Sequence, residues 1–246
     1  MRYLIVSDIH ANLEALEATL AEAAGSYDRA LVLGDLVGYG ADPNAVIERV
    51  RALPGAVLIR GNHDKVGAGL EDVEGFNHLA RFAIQWTAAA LTRENHEWLI
   101  KLTQGPVTVD EGVEICHGTP FDEDVYVFDD LDALRAIRAA RRPLCLFGHT
   151  HVPAIYSLGT NAELSMTPVT RVSPFDVAID QGRYLINVGA VGQPRDGDAR
   201  AAFGFYDTDK KTVTLMRATY DVATAQAKIV AAGLPEVLAH RLALGR

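Results

Sequence analysis

Arg2-Tyr3-Leu4-Ile5-Val6-Ser7-Asp8-Ile9-His10-Ala11-Asn12 begins as a β-type apolar run and breaks into an acid, an imidazole and an amide. The run reads as a core strand. Asn12 is placed to cap a helix to about Ala24, with Leu13, Leu16, Leu20 and Ala24 on one face. Working outward, Arg29 to Leu33 reads as a strand, Asp42 to Ala52 as a helix and Val57 to Arg60 as a strand. This rhythm predicts parallel strands joined by right-handed crossovers. From Phe76 to Leu102 the chain reads as helical, with Phe82, Trp86, Leu91, Trp98 and Leu102 as core candidates.

The pattern then changes. Pro106 to Val109 and Val113 to Cys116 flank Asp110-Glu111-Gly112 as a hairpin. A helix from Asp129 to Arg141 and a buried strand from Leu144 to Phe147 follow. Strands are expected at Ala154 to Leu158, Val177 to Ile179, Tyr184 to Val188, Ala202 to Tyr206 and Thr212 to Arg217. Gly159 to Ser173, rich in Thr, Ser, Asn and Pro, reads as a surface loop. Asp221 caps a helix that stops at Gly233, and Pro235 suits the first turn of a last one. The expected fold class is α/β: two sheets packed face to face with helices outside, in one domain over residues 1–246.

Composition narrows the function. Hydrophobic residues make up 49% and charged residues 22%, as in a globular protein, and no apolar run approaches the length of a membrane span. The first residues read as a core strand rather than a signal peptide, so a cytoplasmic setting is expected. Cys116 and Cys145 lie in apolar runs and read as small buried hydrophobes. The net charge of −9 disfavours long nucleic acid as a partner. Arg135, Arg138, Arg141 and Arg142 crowd a helix end, where cations complement the dipole.

Four short segments read as one site: Ser7-Asp8-Ile9-His10, Gly34-Asp35, Gly61-Asn62-His63-Asp64 and Gly148-His149-Thr150-His151, with His117 between the last two. Each is weak alone. In order, at strand ends, they collect five of the eight histidines, which scattered surface histidines would not do. His78, His96 and His240 lie in helical or terminal segments. The set offers nitrogen and oxygen donors enough for two divalent metals, without thiolates.

In this arrangement the chain resembles the calcineurin-like metallophosphoesterase superfamily, and its Asn187 to Arg195 stretch resembles the small bacterial and archaeal branch, with Val188 and Ala190 in place of a common proline and serine. Ala11 stands where a glycine is common. The resemblance implies a four-layer αββα sandwich and two divalent ions (Mn or Fe before Zn). Asp8, His10, Asp35 and His151 would hold the first, and Asp35, Asn62, His117 and His149 the second. It makes His63 the proton donor to the leaving oxygen, oriented by Asp64. Asn12, Arg60 and Arg195 are further candidates to contact the phosphate. A helix cap is the competing explanation for Asn12, an ion pair for Arg60, and an ion-pair loop of Arg195, Asp196, Asp198 and Arg200 for the last.

The charge of such a site is about +1 on a formal count of two ions, two carboxylates and a bridging hydroxide, so it would bind an anion inside an acidic protein. The implied reaction is in-line hydrolysis of a small, nucleotide-like phosphodiester by that hydroxide. Phosphomonoesterase activity is the near alternative, and a non-catalytic scaffold on the same fold the distant one. A homodimer is expected on base rate alone.

Overall fold

In β1 (Arg2–Val6), Leu4 and Val6 join a helix-covered core while Tyr3 and Ile5 join a core between two sheets, as strand alternation requires. The computed structural model describes residues 1–167, 169 and 174–246. Along the first half, α1 (Leu13–Ala23), β2 (Arg29–Val32), α2 (Pro43–Arg51) and β3 (Val57–Leu58) follow β1. The side chain of Asn12 accepts from the Ala15 N–H and so caps α1. A short helix, α3 (Asn62–Gly67), which no periodicity in the sequence signals, starts inside the Gly-Asn-His-Asp segment. The expected single helical region is two helices, α4 (His78–Ala90) and α5 (Arg93–Leu99), because Thr92 caps a new start by accepting from the Asn95 N–H. Phe82 does not enter the core; it is 43% exposed on α4.

Beyond these lie β4 (Val107–Thr108), β5 (Val113–Ile115), α6 (Asp130–Ala139), β6 (Leu144–Phe147), β7 (Ala154–Gly159) and β8 (Leu164–Thr167). The chain continues through β9 (Pro174–Asp176), β10 (Gly182–Asn187), β11 (Ala201–Asp207), β12 (Thr212–Ala218), α7 (Val222–Ala231) and α8 (Glu236–Leu244). Two expectations are corrected here. The stretch read as a loop from Gly159 to Ser173 turns back at Gly159–Ala162 and forms β8 against β7; its remainder lies partly outside the described residues. The strand expected at Val177 to Ile179 instead precedes it, as β9, with Val177 N–H still bonded to Lys211 O.

The first sheet runs β3-β2-β1-β11-β12-β9 and the second β4-β5-β6-β10-β7-β8. Tyr3, Ile5 and Leu31 of the first meet Leu144, Leu146 and Ile186 of the second in a shared core. The outer face of the first sheet packs Val6 and Phe203 against Leu16, Ile47, Ile229 and Leu238 of the helices. The outer face of the second packs Cys145, Phe147 and Leu185 against Ala133, Ala136 and Ile137 of α6. The order is therefore helix, sheet, sheet, helix, and burial drives each interface. β1, β2 and β3 are mutually parallel, as are β5, β6 and β10, so their C-terminal ends supply the loops that build the site.

Candidate metal centre

Each strand end delivers one part. Asp8 and His10 follow β1, Asp35 follows β2, Asn62 and His63 follow β3, His117 follows β5, and His149 and His151 follow β6. Asp8, His10, Asp35 and His151 offer ligand atoms all within 4.8 Å of one another, and so do Asp35, His117 and His149. Asp35 belongs to both groups. Asn62 joins the second through its Oδ1, 3.1 Å from His117 Nε2.

The backbone is bent sharply to bring these groups inward. Asp8, His10, Asp35, His149 and His151 all have φ between 48° and 67°, in the left-handed region that side chains avoid. Ala11, where the family commonly has glycine, shares that conformation at φ 51°. Gly34 (φ 92°) lets two loops touch: a Cβ there would lie 2.5 Å from the Gly61 nitrogen. A Cβ on Gly61 would strike Asp35 Oδ1 and come within 2.7 Å of His117 Cε1.

Hydrogen bonds fix which imidazole nitrogen faces inward. His10, His117 and His151 place Nδ1 on the carbonyls of Val37 (3.0 Å), Leu33 (2.8 Å) and Gln193 (2.7 Å). A carbonyl only accepts, so Nδ1 carries the proton and Nε2 presents a lone pair. His149 is reversed, with Nε2 3.1 Å from Asp124 O and Nδ1 left as the free nitrogen. The lone pairs of His10 and His151 Nε2 face each other at 3.1 Å. That contact is repulsive unless a cation lies between the pair.

Asp35 makes the same demand. Its Oδ1 accepts from the His63 N–H at 2.9 Å. Its Oδ2 is buried without a hydrogen-bond partner among the described residues, 3.5 Å from His10 Nε2 and 3.3 Å from His117 Nε2. A carboxylate oxygen without a well-aligned hydrogen-bond partner, set between two imidazole nitrogens, fits a divalent cation on either side.

Electrostatics agree. Burial holds His10 and His151 well below the usual imidazole range and His149 at about 3, so all three keep their lone pairs. Burial pushes Asp8 up to about 6, with the Asp35 charge adding to the rise and the His117 charge opposing it. His117 differs: burial lowers it, but the facing Asp35 outweighs burial and lifts it to about 10, so without a cation its Nε2 holds a proton toward Asp35, which a bound ion would displace.

Other expected site residues are placed differently. Asp64 does not orient His63. Its Oδ1 accepts from the Leu36 (2.8 Å) and Val37 (3.2 Å) N–H groups and its Oδ2 from Gly61 N–H (2.9 Å), so it braces the two loops. His63 is held instead by rings: Phe76 stacks on it at 4.6 Å, and Tyr39 and His10 pack at 4.6 and 4.8 Å. Its Nδ1 abuts Gly38, which leaves Nε2 toward the cleft. Asn12 is spent on its cap and on Gly192 O (2.9 Å). Arg60 forms a two-point ion pair with Glu123 at 2.9 and 3.2 Å, set by the approach of the 118–129 loop. Both side chains thus already have partners within the protein. Arg195 stays outside the expected ion-pair loop, because Asp196 pairs with Arg217 and Asp198 with Arg200.

Some supporting residues were not singled out from the sequence. Asn187 Nδ2 donates to Gly148 O (2.7 Å) and Thr150 Oγ1 (3.0 Å), fixing the Gly-His-Thr-His loop. Its position at the end of a strand pattern was the available signal. A cleft of about 250 Å³ opens beside the paired clusters, with Tyr39, His63, Phe76, Tyr126 and His149 among its walls.

The chain matches the calcineurin-like phosphoesterase superfamily domain over residues 1–211. It is 34% identical to the uncharacterized protein MJ0912 of Methanocaldococcus jannaschii over 252 residues, 98% of this chain and 97% of the relative. It superposes with a TM-score of 0.87 on a metallophosphoesterase from Sphaerobacter thermophilus, at 40% identity, covering 100% of this chain and 99% of that one. The hypothetical protein PH1004 of Pyrococcus horikoshii shares the fold at 19% identity, with a TM-score of 0.78 and coverage of 100% and 98%. With the ordered strand-end ligand set, these matches place the chain in the calcineurin-like phosphoesterase superfamily, as a metal-dependent phosphoric ester hydrolase.

Proposed function

We propose that the chain hydrolyses phosphoester bonds of a small substrate, phosphodiesters first, at a centre for two divalent ions. The orphan Asp35 Oδ2, midway between His10 Nε2 and His117 Nε2, carries this reading. Asp8, His10, Asp35 and His151 would hold one ion, and Asp35, Asn62, His117 and His149 the other. Mixed nitrogen and oxygen donors suit Mn²⁺ or Fe²⁺, then Zn²⁺. Bound there, the ions would neutralise phosphoryl charge and lower the pKa of a coordinated water.

The remaining work falls to the chain. His63 lines the cleft, and its Nε2 gives a proton to the leaving oxygen. Burial holds His63 at about 4, and an anionic phosphoryl group beside it would act in the opposite sense. Phe76 and Tyr39 keep its ring from rotating away. The acidic protein and small cleft support a small substrate rather than long nucleic acid. No described helix is long and apolar enough to cross a membrane. The Cys116 and Cys145 thiols, buried 3.5 Å apart, suit a reducing cytoplasm.

The test is turnover of bis-p-nitrophenyl phosphate and p-nitrophenyl phosphate by metal-stripped protein with added Mn²⁺. Asp35→Asn should reduce metal-dependent turnover by more than about 100-fold, since even residues supporting a ligand cost about 10–100-fold. A faster rate on the monoester would make it a phosphomonoesterase. No turnover with Mn²⁺, Fe²⁺ or Zn²⁺, and no stoichiometric metal uptake, would leave the scaffold alternative.

A further inference from the structure

One imidazole of the paired clusters is held differently from the rest. His10, His117 and His151 rest on the carbonyls of Val37, Leu33 and Gln193, in the loops after β2 and β10. His149 rests on the 118–129 loop: its Nε2 lies 3.1 Å from Asp124 O, and Tyr126 of the same loop stacks on the ring at 3.7 Å. That carbonyl keeps the proton on Nε2 and leaves the Nδ1 lone pair for an ion. His149 can serve as a ligand only while Asp124 stays in place.

Two cations keep it there. Lys65, on α3, is 6% exposed and donates to Asp124 Oδ2 at 2.6 Å. Its ammonium also lies 3.4 Å from Glu123 Oε1 and pairs with Glu71. Arg60, just before α3, holds the same Glu123 through its two-point contact. The loop closes tightly on its own start beside His117. Asp124 N–H donates to Asp122 Oδ1 at 2.9 Å, and a Cβ on Gly118 would lie 2.6 Å from Val125 O. Lys65 stands about one helical turn beyond Asn62. The clamp thus joins the segments that carry Asn62, His117 and His149, the donors that the second ion does not share with the first. Among the described residues, Asp8, His10 and His151 make no hydrogen bond to this loop or to Lys65. Apolar packing often stabilises as well as buried ion pairs do, and what the pairs add here is a fixed direction.

We propose that Lys65 is a positioning residue: through Asp124 it fixes the His149 imidazole and so sets the affinity of the second ion separately from the first. This rests on the two-ion reading of the same site and goes beyond it, since it makes the two ions unequal and gives one of them a handle on the cleft wall.

The experiment is a Mn²⁺ titration of metal-stripped protein, read by calorimetry and by the exchange-coupled electron paramagnetic resonance signal of a filled pair. Imidazole nitrogen NMR of the metal-free protein accompanies it. Lys65→Met keeps the reach of the side chain and removes its charge. It should weaken the second ion about 10-fold and leave the first within about 2-fold, the low end of what partners of a metal ligand contribute. Asp124→Asn keeps the carbonyl, falls where the side chain is 47% exposed, and should act in the same direction. The double variant should lose no more than the larger single loss. Lys65→Arg, which keeps the charge, should bind the second ion more tightly than Lys65→Met. In metal-free wild type His149 should hold Nε2–H alone, and in Lys65→Met it should divide between both tautomers. Equal weakening of both ions, unchanged affinity for the second, or a single Nε2–H tautomer in Lys65→Met would overturn the proposal. A wild type that takes up fewer than two ions would overturn the two-ion reading instead, while the His149 tautomer still decides what Lys65 does.

Discussion

The floor of the cleft and its rim are built by different means. Asp8, His10, Asp35 and His117 on the floor are at most 1% exposed, and each leaves the end of a parallel strand. Their places follow from sheet register, and their orientations from backbone carbonyls and N–H groups. On the rim, Arg195 and Tyr126 come from long loops, while Lys65 is held by ion pairs to Glu71, Glu123 and Asp124. Side chains position one another there. A floor built from backbone is set once the sheets pair, whereas a rim built from side chains can change without disturbing the sheets.

If that contrast holds, His63→Ala gives the largest selective effect, because the ring projects from the floor into the cleft without ligating. Its kcat should fall about 10²–10⁴-fold with metal content retained, as for loss of a positioned proton donor. Loss of metal along with activity would instead make His63 a part of the floor. Gly61→Ala should strike floor and fold together, since the new Cβ meets Asp35 Oδ1 and His117. Overpacking of this kind costs about 1–3 kcal/mol, a fall in Tm of roughly 2–12 °C. Metal uptake should drop with it, and a calorimetric melt with metal analysis reads both.

The smallest effect belongs to the rim. Arg200 donates to Asp198 and, against some burial, holds its carboxyl down at about 2. A depressed carboxylate stabilises the folded state above its ordinary pKa and loses that contribution as pH falls toward the folded value. Asp198→Asn should therefore flatten the part of the Tm profile that falls between about pH 4 and pH 2. At neutral pH it should cost less than about 1 kcal/mol, as partly exposed pairs do. A large loss at neutral pH would mean that the rim loop is as integral as the floor.

The same division governs what the sequence disclosed. The floor was legible because β-type runs stop abruptly at Asp8, Asp35 and His117, and because the glycines beside Asp35 and Asn62 announce close approach of the backbone. The four layers were legible from the change of pattern after Leu102, from alternating strands and helices to mostly strands. Asp64, which the resemblance makes the residue orienting His63, instead reaches across to the backbone of Leu36 and Val37 on another loop. Arg60 reads from the sequence as either a phosphate contact or half of an ion pair, and only the fold shows the partner, Glu123, 63 residues away. Phe82 misled because helical spacing cannot tell which face a neighbour covers.

The left-handed backbone at Asp8, His10, Asp35, His149 and His151 also bears on how this chain evolves. At each position glycine would adopt the same conformation without strain, and the present residue costs on the order of 1 kcal/mol to hold there. Heat selection on the metal-free protein would favour glycine at all five and erase the donors one by one. Demand for the ions pulls the other way, since only the holo protein recovers that energy through binding. Durability and chemistry therefore compete at the same five codons, and the residues now present record the side that prevailed.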